Sequence, residues 1–329
     1  MDKPRVAPAI GLFFLAPLVA EFLLGDLPIT FLAALVVLAP MYGGGALLIR
    51  EVVRRTGRGW PSLLVLALAY GIVEEAFTTQ TLFNPNYLHM SLGLLRPAYI
   101  AALGIGAWWT VFVLTLHTVW SVSVSVALTE ALVPDSETSP WLGSIGLTVT
   151  AVLFLLGAVA STRMEIKQDH FVASMGQFAG AAIACVLLVL TAFRLPRTAR
   201  EKAHAPGRAP SPWLVGGLAL AEGSIFLLVP KAWAWRAVGI YLVLDVTIIV
   251  AVSIWSAREG WGKVHRLALA GGAALAYAWH AFIQMPVVGQ NMLAVDRAGN
   301  AVFAASLIVL LWIAARRTRR TPAPEISAA

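Results

Sequence analysis

Long apolar runs alternate with short polar ones along the whole chain, and the runs have the length of a bilayer crossing. A helix rises about 1.5 Å per residue, so about 20 apolar residues cross the hydrocarbon core. The pattern predicts ten spans: residues 9–24, 27–49, 60–83, 108–132, 141–160, 172–193, 213–229, 237–256, 267–288 and 301–315. Pro40 should kink the second span. Gly43, Gly44 and Gly45 beside it let another backbone come close. The apolar run 98–133 is too long for one untilted helix. Gly104 and Gly106 therefore predict a break, with a short interfacial piece before the fourth span. The fold class is an all-α, polytopic transmembrane bundle. Residues 1–193 form a six-span part, 194–212 a flexible basic linker, 213–315 four further spans, and 316–329 a basic tail. No internal repeat stands out.

Composition sharpens this reading. Hydrophobic residues make up 59% of the chain and charged ones 12%, with mean hydropathy +0.79. A soluble domain carries about 25% charged residues, so no large soluble domain fits. Lys3 and Arg5 before the first run resemble a signal peptide, but the spans that follow favour an uncleaved first helix. Cys185 is the sole cysteine, which excludes an intrachain disulfide.

The net charge of +7 raises nucleic acid as a partner until the basic residues are placed. They fall in short loops between spans. With the N-terminus inside, 18 of the 24 Lys and Arg lie on the inner side. That bias predicts an N-in, C-in, multi-pass protein of the cell membrane. Its expected partner is the lipid bilayer, with anionic headgroups at the basic inner loops and no nucleic acid. Arg50, Arg54, Arg55 and Arg58 read as one such loop.

The candidate chemistry starts with Glu74 and Glu75, adjacent carboxylates about 14 residues into the third span. A charge at mid-helix costs about 2.5–3.5 kcal/mol on insertion scales, so two need partners, water or protonation. Counting rise, Glu74 lies about 21 Å, His117 about 25 Å and His280 about 20 Å from the inner end. Glu222 and Asp245 lie deeper, at about 14–16 Å. Glu74, Thr78 and Thr81 share one helical face, and Glu75 shares an adjacent one with Thr79. Thr110, Leu114, His117 and Ser121 form one stripe; Tyr277, His280 and Gln284 form another. Gln80, Asn84 and Trp120 complete the polar set. Side chains of adjacent residues diverge by about 100° on an α-helix, so His117 should meet only part of the carboxylate pair. Each stripe is consistent with a hydrated cavity or with interhelical hydrogen bonding. Two carboxylates in low dielectric do not both ionise easily, which suits general acid–base work. The chain contains neither HExxH nor CxxC to support zinc, nor a phosphate-binding GxxxxGK[ST]. No cofactor or metal is expected.

The order basic loop, Trp60, apolar run, Glu74-Glu75, then a helix with His117 resembles the CAAX-protease and bacteriocin-processing family of glutamic intramembrane proteases. The resemblance covers about residues 50–132. The family's EExxxR is met by Glu74-Glu75 with Thr79 in the arginine slot. Its FxxxH is met by His117, with Val113 four positions earlier and Phe112 one before that. The nearest approach to its HxxxN is His280 with Gln284. The resemblance implies that Glu74 is the general base on a water and that Glu75 holds that water or a neighbouring donor. His117 would assist the base or the oxyanion, and His280 and Gln284 would stand in for the last motif. The substrate would be a peptide or a lipidated, membrane-embedded molecule.

Two other readings stay open. One is a proton-coupled transporter whose relay comprises Glu74, Glu75, His117, Glu222 and Asp245. The other is a membrane assembly partner without chemistry.

Overall fold

Apolar helices dominate the computed structural model, which describes residues 5–90, 92–197, 205–287 and 293–320. In chain order the main helices are α1 (Val6–Phe22), α2 (Ile29–Arg55), α3 (Trp60–Thr78), α4 (Ala107–Leu132), α5 (Ser144–Asp169) and α6 (Met175–Arg194). They continue with α7 (Pro212–Leu228), α8 (Trp235–Ser256), α9 (Lys263–His280) and α10 (Ala294–Arg320). Seven of these, α2 to α6, α8 and α10, are long and apolar enough to cross a membrane.

Helices α3 and α4 lie at the centre, with most of their apolar stretch buried. By contrast α5, α6, α8 and α10 present rows of exposed Ile, Leu and Val to their surroundings. Central helices find protein on all sides and peripheral ones find lipid, so apolar residues occur all round every helix. The largest apolar core draws Trp108, Leu116, Trp120 and Leu128 from α4, Phe226 from α7, Tyr241 from α8, and Tyr277 from α9. It therefore includes side chains from both the 1–193 and the 213–315 segments.

The glycine triplet of α2 serves three neighbours. A Cβ on Gly43 would overlap the Phe13 backbone of α1, and one on Gly45 would overlap the Tyr70 ring of α3. Gly44 lies against Phe154 of α5.

The chain connections gather at two opposite ends. At one end the Arg5 amide donates to the Trp141 carbonyl at 2.7 Å and Lys263 donates to the Pro134 carbonyl at 2.7 Å. Arg266 pairs with Glu137 at 2.9 Å, and Arg317 donates to the Leu132 carbonyl. At the other end the Val287 amide donates to the Asp26 carbonyl, and Lys231 to the Leu92 carbonyl at 3.2 Å.

Several expectations are corrected. The Arg50–Arg58 stretch is not a solvated loop. Arg50 and Arg54 lie within α2, buried, and share the Glu130 carboxylate of α4 at 3.1 and 2.7 Å. Arg50 also pairs with Glu51 at 2.7 Å and stacks over Trp141. Arg58 is buried against the C-terminal carbonyls of α6. A buried guanidinium needs several acceptors, and this end supplies them.

The piece before α4 is a small antiparallel hairpin, β1 (Tyr99–Ile100) and β2 (Ile105–Gly106), closed by Gly104 at φ +67°. The ninth helix ends at His280 rather than at residue 288, and the tenth starts earlier, at Ala294. Of the expected linker, residues 198–204 lie outside the described residues, as do residues 321–329 of the tail. Residues past that gap form β3 (Ala205–Arg208), paired in parallel with β4 (Arg258–Glu259).

Candidate functional site

Three helices change winding where they meet. The last turns of α1 (Leu18–Phe22), the end of α3 (Val73–Thr78) and the middle of α4 (His117–Val124) are π-helical. The Thr79 amide, for example, reaches back five residues to the Glu74 carbonyl at 2.9 Å. Such turns are rare and concentrate at functional sites. Here each carries a chemically active side chain: Glu21 in the first, Glu74 and Glu75 in the second, His117 in the third.

His117 stands between both carboxylates. Its Nε2 lies 2.8 Å from Glu75 Oε1, and its Nδ1 lies 3.1 Å from Glu74 Oε2. Nδ1 is also 3.1 Å from the Ser121 hydroxyl. The expectation that His117 would meet only part of the pair is overturned. The widened turn of α3 swings both glutamates toward α4, and the two ring nitrogens face opposite ways. Glu74 is 1% exposed, and Glu75 and His117 are each 4% exposed. Gly71, one turn before Glu74, leaves room for the His117 side chain.

Glu75 is fully engaged. Its Oε2 accepts from the Thr79 hydroxyl at 3.3 Å and from the Thr81 hydroxyl, whose oxygen accepts from Trp109 Nε1 at 2.8 Å. Thr81 lies beyond the helix and serves Glu75, not Glu74 as the face-sharing pattern predicted. Glu74 differs: no well-directed hydrogen bond reaches either of its oxygens. Tyr42 and Tyr70 lie beside it, their rings 6.1 and 6.2 Å from the His117 ring. The Tyr42 hydroxyl donates to Glu21 at 2.5 Å, and the buried Tyr70 hydroxyl lies beside Glu74 without a well-directed hydrogen bond.

From Glu21 the polar groups continue to the end of the bundle. Asp26 follows in the α1–α2 connection and accepts from Gln284 Nε2 at 2.7 Å. Burial, then the Glu21 charge, push the Asp26 carboxyl up to about 7, with the Gln284 bond opposing. Tyr277 lies near both Asp26 and Glu21, its hydroxyl buried and unpartnered.

The remaining predicted residues lie apart. His280 is buried beside Trp279, its Nδ1 without a partner, and does not join the cluster of Glu74, Glu75 and His117. Gln284 sits in a turn past the helix end and serves Asp26. Similar height did not bring these two to His117, because their helix presents them to a different neighbour. Gln80, at φ +57°, accepts from the Ala173 amide at 2.7 Å, and Asn84 donates to Asp169 at 2.6 Å. Trp120 stacks on Tyr277 at 4.5 Å and donates to the Ala273 carbonyl. Asp245 accepts from Thr115 at 3.1 Å, with Glu222 near it on α7. Among the described residues, no direct hydrogen bond or ion pair joins these two acids to the triad.

Sequence reasoning missed Tyr42, Tyr70 and the role of Glu21. Glu21 carried a signal, a carboxylate at the end of an apolar run. The tyrosines carried none, since aromatic residues are ordinary in apolar helices.

These features define a polytopic integral membrane protein with a buried Glu–His–Glu cluster in its core. Residues 12–326 match the model of an uncharacterized membrane protein family, and the chain belongs to that family. No curated protein and no solved structure matches the chain.

Proposed function

We propose that the protein is an intramembrane hydrolase of the glutamic type, acting on a peptide or lipid-embedded substrate. The observation that carries this reading is the convergence of Glu74, His117 and Glu75 in the core. Glu74, whose oxygens lie beside His117, Tyr42 and Tyr70 without a well-directed hydrogen bond, is the group able to take a proton from water. The water oxygen then bonds to the substrate carbonyl carbon, and the leaving group departs with a proton. His117, held by Glu75, supplies the positive charge that stabilises the oxyanion. The similarity to CAAX-type proteases supports the Glu-Glu and first His positions; Thr79 replaces the arginine, and His280 and Gln284 do not take the last motif's place beside them. The test is cleavage of a panel of fluorogenic peptides, lipidated and plain, by protein in nanodiscs. Cleavage should vanish in Glu74→Gln.

A second reading, proton-coupled transport, is favoured by the succession Glu74, Tyr42, Glu21, Asp26 toward one end of the bundle. The relay would run through Glu21 and Asp26 instead of Glu222 and Asp245. Proton flux in liposomes that is lost in Glu21→Gln and kept in Asp245→Asn would select it.

We also propose ten spans in the cell membrane with both termini in the cytosol. The gathering of Arg5, Lys263, Arg266 and Arg317 at one end supports this, because cytosolic ends collect Lys and Arg. Basic side chains there that are not engaged with carboxylates would meet anionic headgroups.

A further inference from the structure

We propose that Glu74, Glu75 and His117 hold one divalent cation of the zinc type. One donor atom from each residue lies within 4.8 Å of the other two. Zinc bonds to nitrogen and oxygen are about 2.0–2.2 Å long, so two donors on one ion stand up to about 4 Å apart. Closing the set on one ion requires the His117 ring to give up one of its two carboxylate contacts and the side chains to draw in from separations of up to 4.8 Å. Three protein ligands with a fourth position left for water is the pattern of catalytic zinc sites.

Two further observations point to a cation. Glu74 is 1% exposed, yet neither oxygen receives a well-directed hydrogen bond. A buried carboxylate left so is costly. The Tyr70 hydroxyl beside it is likewise buried without a well-directed hydrogen bond, and it could turn to a water on the ion.

Charge makes the same case. Glu21, Glu74 and Glu75 surround one histidine, and among the described residues no Lys or Arg pairs with any of them. Arg50 and Arg54 are committed to Glu51 and Glu130. A protonated His117 offers one positive charge and faces two carboxylates. A divalent ion offers two and leaves His117 neutral, as a ligand must be.

The donor set selects the metal. An imidazole nitrogen beside carboxylates suits zinc and its neighbours, whereas magnesium and calcium prefer oxygen alone. Thr79, Thr81 and Trp109 fix Glu75 from behind, the outer support that metal ligands commonly have.

This deepens the hydrolase reading and rests on it only for the chemistry. A bound ion would acidify its water and would supply the positive charge in place of His117, and Glu74 would pass from proton acceptor to ligand. Binding itself is measurable without any substrate.

The experiment strips the full-length protein in nanodiscs with chelator, then titrates it with Zn²⁺ by calorimetry and with Co²⁺ by visible absorption. The proposal expects one ion per chain and a tetrahedral Co²⁺ band. Affinity should fall at least 100-fold in Glu74→Gln and in His117→Ala, with Glu222→Gln unchanged. Where His117→Ala loses its fold, His117→Gln and Glu75→Gln carry the test. Binding absent from wild type, or undiminished in the triad variants, overturns the proposal. Peptide cleavage that persists in chelator overturns the cation but keeps the hydrolase. Stoichiometric binding without cleavage of any peptide keeps the cation and removes the hydrolase.

Discussion

His117 Nε2 meets Glu75 Oε1 at 2.8 Å, although the two residues belong to helices joined by a long connection that includes the β1–β2 hairpin. The contact depends on winding. On a regular α-helix Glu74 and Glu75 would point to different neighbours. The π turn at the end of α3 and the one facing it in α4 set both carboxylates around a single ring. Opposite-charge or proton-sharing contact at this distance, in a water-poor core, is much stronger than at a surface.

The Arg50–Glu130 contact sets the first expectation. Glu130 accepts from both Arg50 and Arg54, tying α2 to α4 at the basic end. Removing the carboxylate leaves the buried Arg54 guanidinium without its anion and Arg50 with Glu51 alone. Breaking a buried pair in this way costs about 3–5 kcal/mol. Glu130→Ala should therefore unfold at a clearly lower temperature in detergent. An unchanged transition would show that water or another acceptor compensates.

Asp26 predicts a pH dependence. Its carboxyl is pushed up to about 7 by burial and by Glu21, above its ordinary 3.8. The folded protein therefore holds a proton there that the unfolded chain releases. The stabilisation is complete below about pH 4 and is lost as pH rises toward 7. The slope is up to about 1.4 kcal/mol per pH unit inside that window. Unfolding of wild type and Asp26→Asn should be compared between pH 4 and pH 8. The variant should be flatter; parallel curves would remove Asp26 as the source.

Orientation gives a third expectation. Reporters placed at Ala205 and after residue 329 should both read cytoplasm, since both follow helices that end among the basic side chains. An extracytoplasmic signal at either position would end the N-in, C-in arrangement.

How much of this was readable in the sequence follows from what each signal encodes. Apolar run length encodes helices, and the predicted runs correspond to α1 through α10 with ends shifted by several residues. Depth is encoded too, because rise per residue is fixed, so Glu74, Glu75 and His117 could be placed at one height. Azimuth is not encoded. The π turns break the 3.6-residue period without a composition of their own, and so the meeting of both glutamates with His117 was invisible. Height alone also grouped His280 and Gln284 with them, whereas the end of α9 turns Gln284 toward Asp26. Arg50 and Arg54 looked solvated because a run of arginines resembles a loop. Their partner, Glu130, lies a whole helical hairpin away.

The last expectation concerns Glu74. Glu74→Gln keeps the shape of the side chain and removes its ability to take a proton. If the cluster activates water, turnover should be abolished, a loss of at least 100-fold for a general base. The bundle should remain folded, because Ser121 and Glu75, itself held by Thr81, still hold His117. A packing role predicts the reverse. Replacing a buried carboxylate that lacks hydrogen bonds by a neutral amide removes a costly charge, so stability should hold or rise. Stability and turnover must therefore be read together, by thermal unfolding in detergent and by cleavage of a peptide in nanodiscs. Intact folding with lost cleavage assigns Glu74 to the chemistry. A Glu74→Gln protein that is at least as stable and fully active would remove Glu74 from it. The second result would leave His117 and Glu75 as a hydrogen-bonded strut between α3 and α4.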